Sequence, residues 1–486
     1  MDQETARKGG EAPLSEIMAP SIGEITGWQA AGLDEAEREA LNELLRVWAA
    51  RYARNSERMR YYEMDARLKD LGIAIPPALR RMRMAMGWPA KAVDYLADRS
   101  IFDGFRVAAG DEGLVREICE GNDLRGLYRA LLPSELAMSP AFVTATAGGP
   151  GEPAAVISGY DARTAAALWD WRRRRIRCGL TIVDFDVRDG YPRPTQMNLY
   201  TDRAVVELTR SRNGRYSTRR IEHGHGRPLM EALRYRPTLS RPFGRTRIGP
   251  AVRSITDCAI RECYRSEVAA EFAAAPQKYV MGADDSTFRD GKWSAYMGAI
   301  MALSVNEEGE NPVFGQLPQM SMQPHVDYFR HLAAQFAGET GVPISSLGVV
   351  HDNPASAEAI YAAKEDIVVE ATCLNETNGV ALANVARMAV AVARGIPLPE
   401  AARELDVRAR WRNPSMPSAV SQSDAMVKQI GALPWLAQSD IALEELGYPE
   451  EKIAQLREDR ERAGSKAVLD AVRAQLALDA AGGADA

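Results

Sequence analysis

The chain has 486 residues, 46% hydrophobic and 26% charged, with a formal net charge of -6 at pH 7. That length exceeds what one hydrophobic core fills, so two to four domains are expected. The acidic balance argues against a free-standing module that grips DNA phosphates tightly, but not against a protein that lets DNA slide past it. Cys119, Cys178, Cys258, Cys263 and Cys373 form no CxxC pair and read as reduced thiols rather than a zinc site. No apolar signal-peptide core and no run of about 18 apolar residues occurs, so a soluble chain made in the cytoplasm, with no membrane partner, is expected.

Residues 1–30, rich in Gly, Pro and charge, are expected to form a flexible arm. Asp34 and Glu37 have capping-box spacing, and Leu41, Leu44, Leu45, Trp48 and Tyr52 supply the apolar face of a following helix. Residues 86–105 (MGWPAKAVDYLADRSIFDGF) read as a second helix between Trp88-Pro89 and Asp103-Gly104. From about 141 to 248 β-branched residues alternate or cluster between turn formers (AFVTATAG, AAVISGYD, LTIVDFDV, QMNLYTD, RAVVELTR), which predicts a mostly antiparallel β region.

Helix returns at Pro250, with proline at the first helical position and Ile260, Tyr264, Val268 and Phe272 on one face. Residues 276–320 read as a short mixed module. A helix after Pro324 should turn Val326, Phe329, Leu332 and Phe336 inward. The loop GVVHDNPAS follows, and a long helix is expected with Asn353 as cap and Pro354 at its first position. Ile360, Ile367, Leu374, Leu382, Val385, Met388 and Val392 form its stripe, and Asn378-Gly379 is a candidate kink. The tail from residue 411 reads as short helices.

Motifs for chemistry are sparse. No GxxxxGK[ST], GxGxxG after a strand, or GxSxG occurs, so ATP hydrolysis, dinucleotide binding and serine-esterase chemistry are not expected. HGHG (223–226) reads as a solvated loop rather than a metal clip. His325 and His331 lie on different helix faces, so one metal cannot take both. His351-Asp352 lacks the partners of an acid–base dyad. WDWRRRRIR (169–177) reads as a charged edge strand or intersubunit salt-bridge strip rather than a nucleic-acid site. The Arg-rich turn RPFGRTRIG (241–249) reads as a loop packing against a neighbour. No catalytic, cofactor or metal residue is assigned.

Several stretches, in order, resemble tailed-bacteriophage portal proteins of the siphophage type. They are YYEMDARLKDLGIAIP, GWPAKAVDYLADRSIFDGF, RPFGRTRIGPAVRSITDCAIR, SMQPHVDYFRHLAAQFAGETGVPISSLGVVHDNPASAEAI, WRNPSMPSAVSQSDAMVKQIGALP and LEELGYPEEKI. RALLPSELAMSPAFVTATAG (129–148) departs from the smoother helix-to-strand passage the family suggests. The resemblance implies an α+β portal fold with wing, stem, clip and crown regions, assembled as a ring, most often of twelve subunits, at one capsid vertex. DNA would enter through it during packaging and leave through it at ejection.

The implied regions are an arm (1–30), a wing (31–248), a first stem helix (249–275) and a clip (276–320). A second stem helix (321–341), a tunnel loop (342–356), a long wing helix (357–410) and a helical crown (411–486) follow. Val349, Val350, His351, Asp352, Asn353, Pro354, Ala355 and Ser356 become the DNA-channel candidates. Implied partners are other copies of the chain, double-stranded DNA, a terminase, major capsid and scaffolding proteins, and head–tail adaptor proteins. Two other readings stand beside it: a metal-dependent phosphohydrolase built on His223, His225, His351 and Asp352, and a virion structural or adaptor protein that binds the portal.

Overall fold

The Asp34–Glu37 capping box forms: the Glu37 amide donates to Asp34 Oδ1 at 2.8 Å, and the Asp34 amide to Glu37 Oε2 at 3.2 Å. In the computed structural model it opens helix α1, Glu35–Tyr62. The residues described are 20, 23–65, 84–188, 191–274, 278–281, 313–316, 318, 320–349, 357–415, 419–448 and 452–463. After α1 come α2 (Trp88–Ala97), β1 (Phe102–Ala109), α3 (Glu112–Gly121) and α4 (Leu124–Met138). Eight strands follow: β2 (Ala141–Ala147), β3 (Ala155–Tyr160), β4 (Ala165–Asp170), β5 (Arg175–Arg188), β6 (Tyr191–Tyr200), β7 (Ala204–Arg210), β8 (Tyr216–Glu222) and β9 (Met230–Leu233). Then come α5 (Pro250–Ala274), β10 (Lys278–Met281), β11 (Val313–Gln316), α6 (Gln323–Thr340) and α7 (Ala357–Arg394). The last are α8 (Leu398–Glu404), β12 (Asp406–Trp411), α9 (Ala419–Ala432) and α10 (Asp440–Glu445).

The chain divides into two units that are discontinuous in sequence. One contains Arg54–Asp94 and Thr246–Ala363; the other contains Ile17–Ala53, Tyr95–Arg245 and Lys364–Ala486. A linear division into successive segments therefore does not describe the core packing.

In the larger unit an antiparallel sheet runs in the order β4-β5-β6-β7-β8. Met197 with Leu199 on β6, and Val206 with Leu208 on β7, sit two residues apart and so share a face. That face meets Leu41, Leu44, Leu45, Trp48 and Tyr52 of α1, all buried in one core. The Trp48 indole N–H finds a partner in the Arg163 carbonyl at 2.6 Å. Residues assigned to the arm join this core: Ile25, 4% exposed, and Ala30 pack with Leu41 and Leu44. The Ile25 amide donates to Asn42 Oδ1 at 2.8 Å.

A second sheet has the order β3-β2-β9, and a third pairs β1 with β12. FDGF, read as the end of a helix, belongs to β1. Its register runs from Phe102 opposite Trp411 to Ala109 opposite Asp406. Gly104, at φ 109°, adopts a backbone that a residue with a Cβ rarely reaches. The 129–148 passage is a helix containing Pro133, then a cis Ser139–Pro140 bond, then β2. Within WDWRRRRIR, Trp169 and Asp170 end β4, an edge of the five-stranded sheet, and Trp171–Arg174 is the exposed turn between β4 and β5. Asp170 Oδ1 caps that turn, accepting from the Arg172 and Arg173 amides at 3.0 and 2.9 Å.

Helix α7 runs unbroken for 38 residues, about 57 Å at 1.5 Å per residue, so Asn378-Gly379 does not interrupt it. Ile367, Leu374, Leu382, Val385 and Met388 are buried as their spacing predicts, whereas Val392 is half-buried. Buried Asn378 is held by polar partners. Its Nδ2 donates to Glu135 Oε2 at 2.8 Å and to the Tyr128 hydroxyl at 3.2 Å. No single described helix is long and apolar enough to cross a membrane.

Candidate functional site

The channel candidates follow a helix pair in the smaller unit, and the pair's packing can be built from its side chains. Trp88 is buried, with ring centroids 5.2 Å from Phe329 and 5.3 Å from Phe336 of α6. Buried Arg247, just before α5, donates from Nε to the Ala92 carbonyl at 2.6 Å and from its guanidinium to the Thr340 carbonyl at the end of α6. The Arg-rich turn thus satisfies main-chain acceptors of its own chain. Tyr61 donates to Asp257 of α5 at 2.8 Å, and Arg253 pairs with Glu57 at 2.6 Å.

Between α5 and α6 lies an ionisable pair: His325 Nδ1 stands 2.5 Å from Oε1 of Glu262, which is 3% exposed. Arg265 approaches the other carboxylate oxygen at 3.6 Å. His325 and His331 do diverge, since His331 is exposed and meets Gln335 one turn on. Of the expected apolar face of α6, Leu332 and Phe336 are buried and Phe329 is half-buried, but Val326 remains 42% exposed. On α5, Ile260 is buried while Tyr264 and Val268 are half-buried, and the Tyr264 hydroxyl accepts from the Met84 amide at 3.2 Å.

Helix α6 ends at Gly341, whose φ of 68° is the left-handed conformation favoured after a helix. Pro343 then starts a short 3-10 turn, Ile344–Leu347, closed by Gly348 at φ 85°. Val349 follows and is buried. It forms part of the wall of a hollow of about 490 Å³, with Ser266, His325, Phe329 and Arg330. Val350, His351, Asp352, Asn353, Pro354, Ala355 and Ser356 lie outside the described residues. So do Ile360's side chain and most of the mixed module, 282–312. That module's two ends are joined by the antiparallel β10–β11 ladder, Lys278 opposite Gln316 and Met281 opposite Val313.

HGHG is not the solvated loop expected. His225 is buried, and the His223 and His225 rings lie 5.1 Å apart between centroids. Burial pushes the His223 imidazole down to about 4, with the neighbouring His225 adding to the effect; burial also lowers His225. Among the described residues no three His, Cys, Asp or Glu side chains gather as a metal set.

Among the described residues the architecture presents helices, ladders and ion pairs. The family model described as "Phage portal protein, SPP1 Gp6-like" matches residues 41–466, and the chain belongs to that family. It is 26% identical over 426 residues to the portal protein of Mycobacterium phage L5, covering 83% of this chain and 84% of that one. It is also 26% identical over 410 residues to the portal protein of Mycobacterium phage D29, covering 80% and 81%. Among solved structures, the neck of an empty GTA particle computed with C6 symmetry aligns over 74% of this chain and 90% of that chain, at TM-score 0.44 and 15% identity.

Proposed function

We propose that the chain is one subunit of a ring, of twelve copies, that forms the DNA channel at one vertex of a phage capsid. The observation that carries this reading is the portal-family match along residues 41–466. In the proposed assembly, double-stranded DNA passes through the ring during packaging, retention and ejection. A terminase, capsid and scaffolding proteins, and head–tail adaptors dock on its faces. The protein is made in the host cytoplasm and resides in the virion. It is a conduit rather than an enzyme, and ATP hydrolysis belongs to the terminase.

Helices α5 and α6 are assigned as the two stem helices, joined through a clip at 276–320. The half-buried Glu262–His325 contact and the Arg247 bridge support a stiff helix pair. Val349–Ser356 is assigned to the tunnel loop, the wing to 31–248 with 357–410, and the crown to 411–486. A closed ring needs two different surfaces on each subunit, one matching the other on its neighbour. The test is negative-stain imaging and native mass spectrometry of purified protein. Rings with a central hole, formed without nucleotide and with no ATP turnover, are expected. A monomer at micromolar concentration that forms no rings with scaffolding protein refutes the reading.

A further inference from the structure

The HGHG stretch has no part in the portal reading, yet its geometry is unusual. Both ring nitrogens of His223 and Nδ1 of His225 are sealed from solvent and make no hydrogen bond of normal geometry, although the Thr201 backbone interacts with the His223 ring. Buried polar side-chain atoms are otherwise almost always partnered, and an unpartnered group points to an ion or a water. Stacking of the rings would not satisfy those nitrogens. The loop is tied at its start, where the His223 amide donates to the Arg203 carbonyl at 2.7 Å. Each ring also meets backbone, His223 at Thr201 and His225 at Ile396. A backbone partner on one imidazole nitrogen is the arrangement that fixes the ring and aims the other nitrogen's lone pair at a metal.

The spacing fits a shared ion. With metal–nitrogen bonds of about 2.1 Å and ring centres about 1.1 Å beyond, two imidazoles on a tetrahedral ion have centroids about 5.2 Å apart, against about 4.5 Å for a right-angled pair. The observed separation is 5.1 Å. Asp202, in the turn between β6 and β7, lies close enough to act on the charge of His223.

We propose that His223 and His225 form a two-imidazole site for a borderline divalent transition cation such as zinc, with water in the remaining positions and Asp202 as an outer carboxylate. Nitrogen donors select such ions over magnesium or calcium, which prefer oxygen. The site goes beyond the portal reading and does not depend on ring formation.

The test is calorimetric titration of metal-stripped, full-length protein with zinc chloride at pH 7.5, with magnesium chloride as control. One zinc per chain and no magnesium binding are expected. His223→Ala and His225→Ala should each weaken zinc at least about tenfold, and the double variant should abolish the site. Zinc should raise the melting temperature of the wild type and leave that of the double variant unchanged. The variant H325A/H331A should keep full binding. The proposal is overturned if wild type binds no zinc at micromolar concentrations, if the folded double variant binds as wild type does, or if H325A/H331A loses the ion.

Discussion

Glu135 gives the sharpest stability prediction. It is fully buried between α4 and α7; Oε2 accepts from Asn378, and Oε1 has no hydrogen-bond partner. Burial raises its carboxyl to about 8 from 4.5, opposed by the Asn378 hydrogen bond and the Arg234 charge. The folded chain therefore keeps this proton up to about pH 8, whereas the unfolded chain releases it near 4.5. Stability from this group is highest below pH 4.5, falls by about 1.4 kcal/mol per pH unit up to pH 8, and is level above it. By pH 7 the loss is about 3 kcal/mol.

Glu135→Gln keeps the shape of the protonated acid and removes the titration. The substitution should stabilise the larger unit, and its advantage should grow by about 3 kcal/mol between pH 5.5 and pH 7.5. Urea unfolding followed by tryptophan fluorescence reads this, because Trp411 lies 5.3 Å from Tyr128 in the same polar cluster. An advantage that is flat across that pH range, or a loss of stability equal at both ends, refutes the argument.

Arg247→Ala should leave the Ala92 and Thr340 carbonyls buried without their donor, costing about 2–4 kcal/mol of stability in urea unfolding; a cost under about 0.5 kcal/mol would count against the bridge. Bulky substitutions at Ala355 and Ser356 should impair packaging or genome retention while rings still assemble, and normal packaging by such mutants would remove those residues from the channel. Deleting 284–312 should spare the larger unit's folding, read by circular dichroism and limited proteolysis, but abolish packaging; a deletion virion that packages DNA and attaches tails would refute the clip assignment.

The elements legible in the sequence were those whose pattern is local. The capping box and face of α1 and most of the buried stripe of α7 each follow from residues within a few turns of one another. Strand β1 was not legible, because FDGF becomes a strand only through a partner some 300 residues later. Strands β4, β8 and β9 were not read individually. β8, with its burial limited to partial cover at alternate positions, carries little apolar signal of its own. The four arginines after Trp171 suggested a charged edge, whereas the Asp170 side chain turns the backbone there. HGHG, flanked by glycine and Arg227-Pro228, read as solvated because the Ile396 backbone that meets it comes from the far end of α7. Of the channel candidates only Val349 falls on described residues; what bears on the others is chain order, not contact.

The β1–β12 pairing also sets a schedule for synthesis. On a ribosome adding about 5–20 residues per second, the second strand follows the first by roughly 15–60 s. During that time β1 is an unpaired edge while the strands of the meander, complete only at residue 222, are made after it, and exposed edges recruit other chains. The β1–β12 sheet of the larger unit closes only after residue 411 has emerged. A nascent chain interrupted before that point would be a strand-pairing hazard rather than a usable building block.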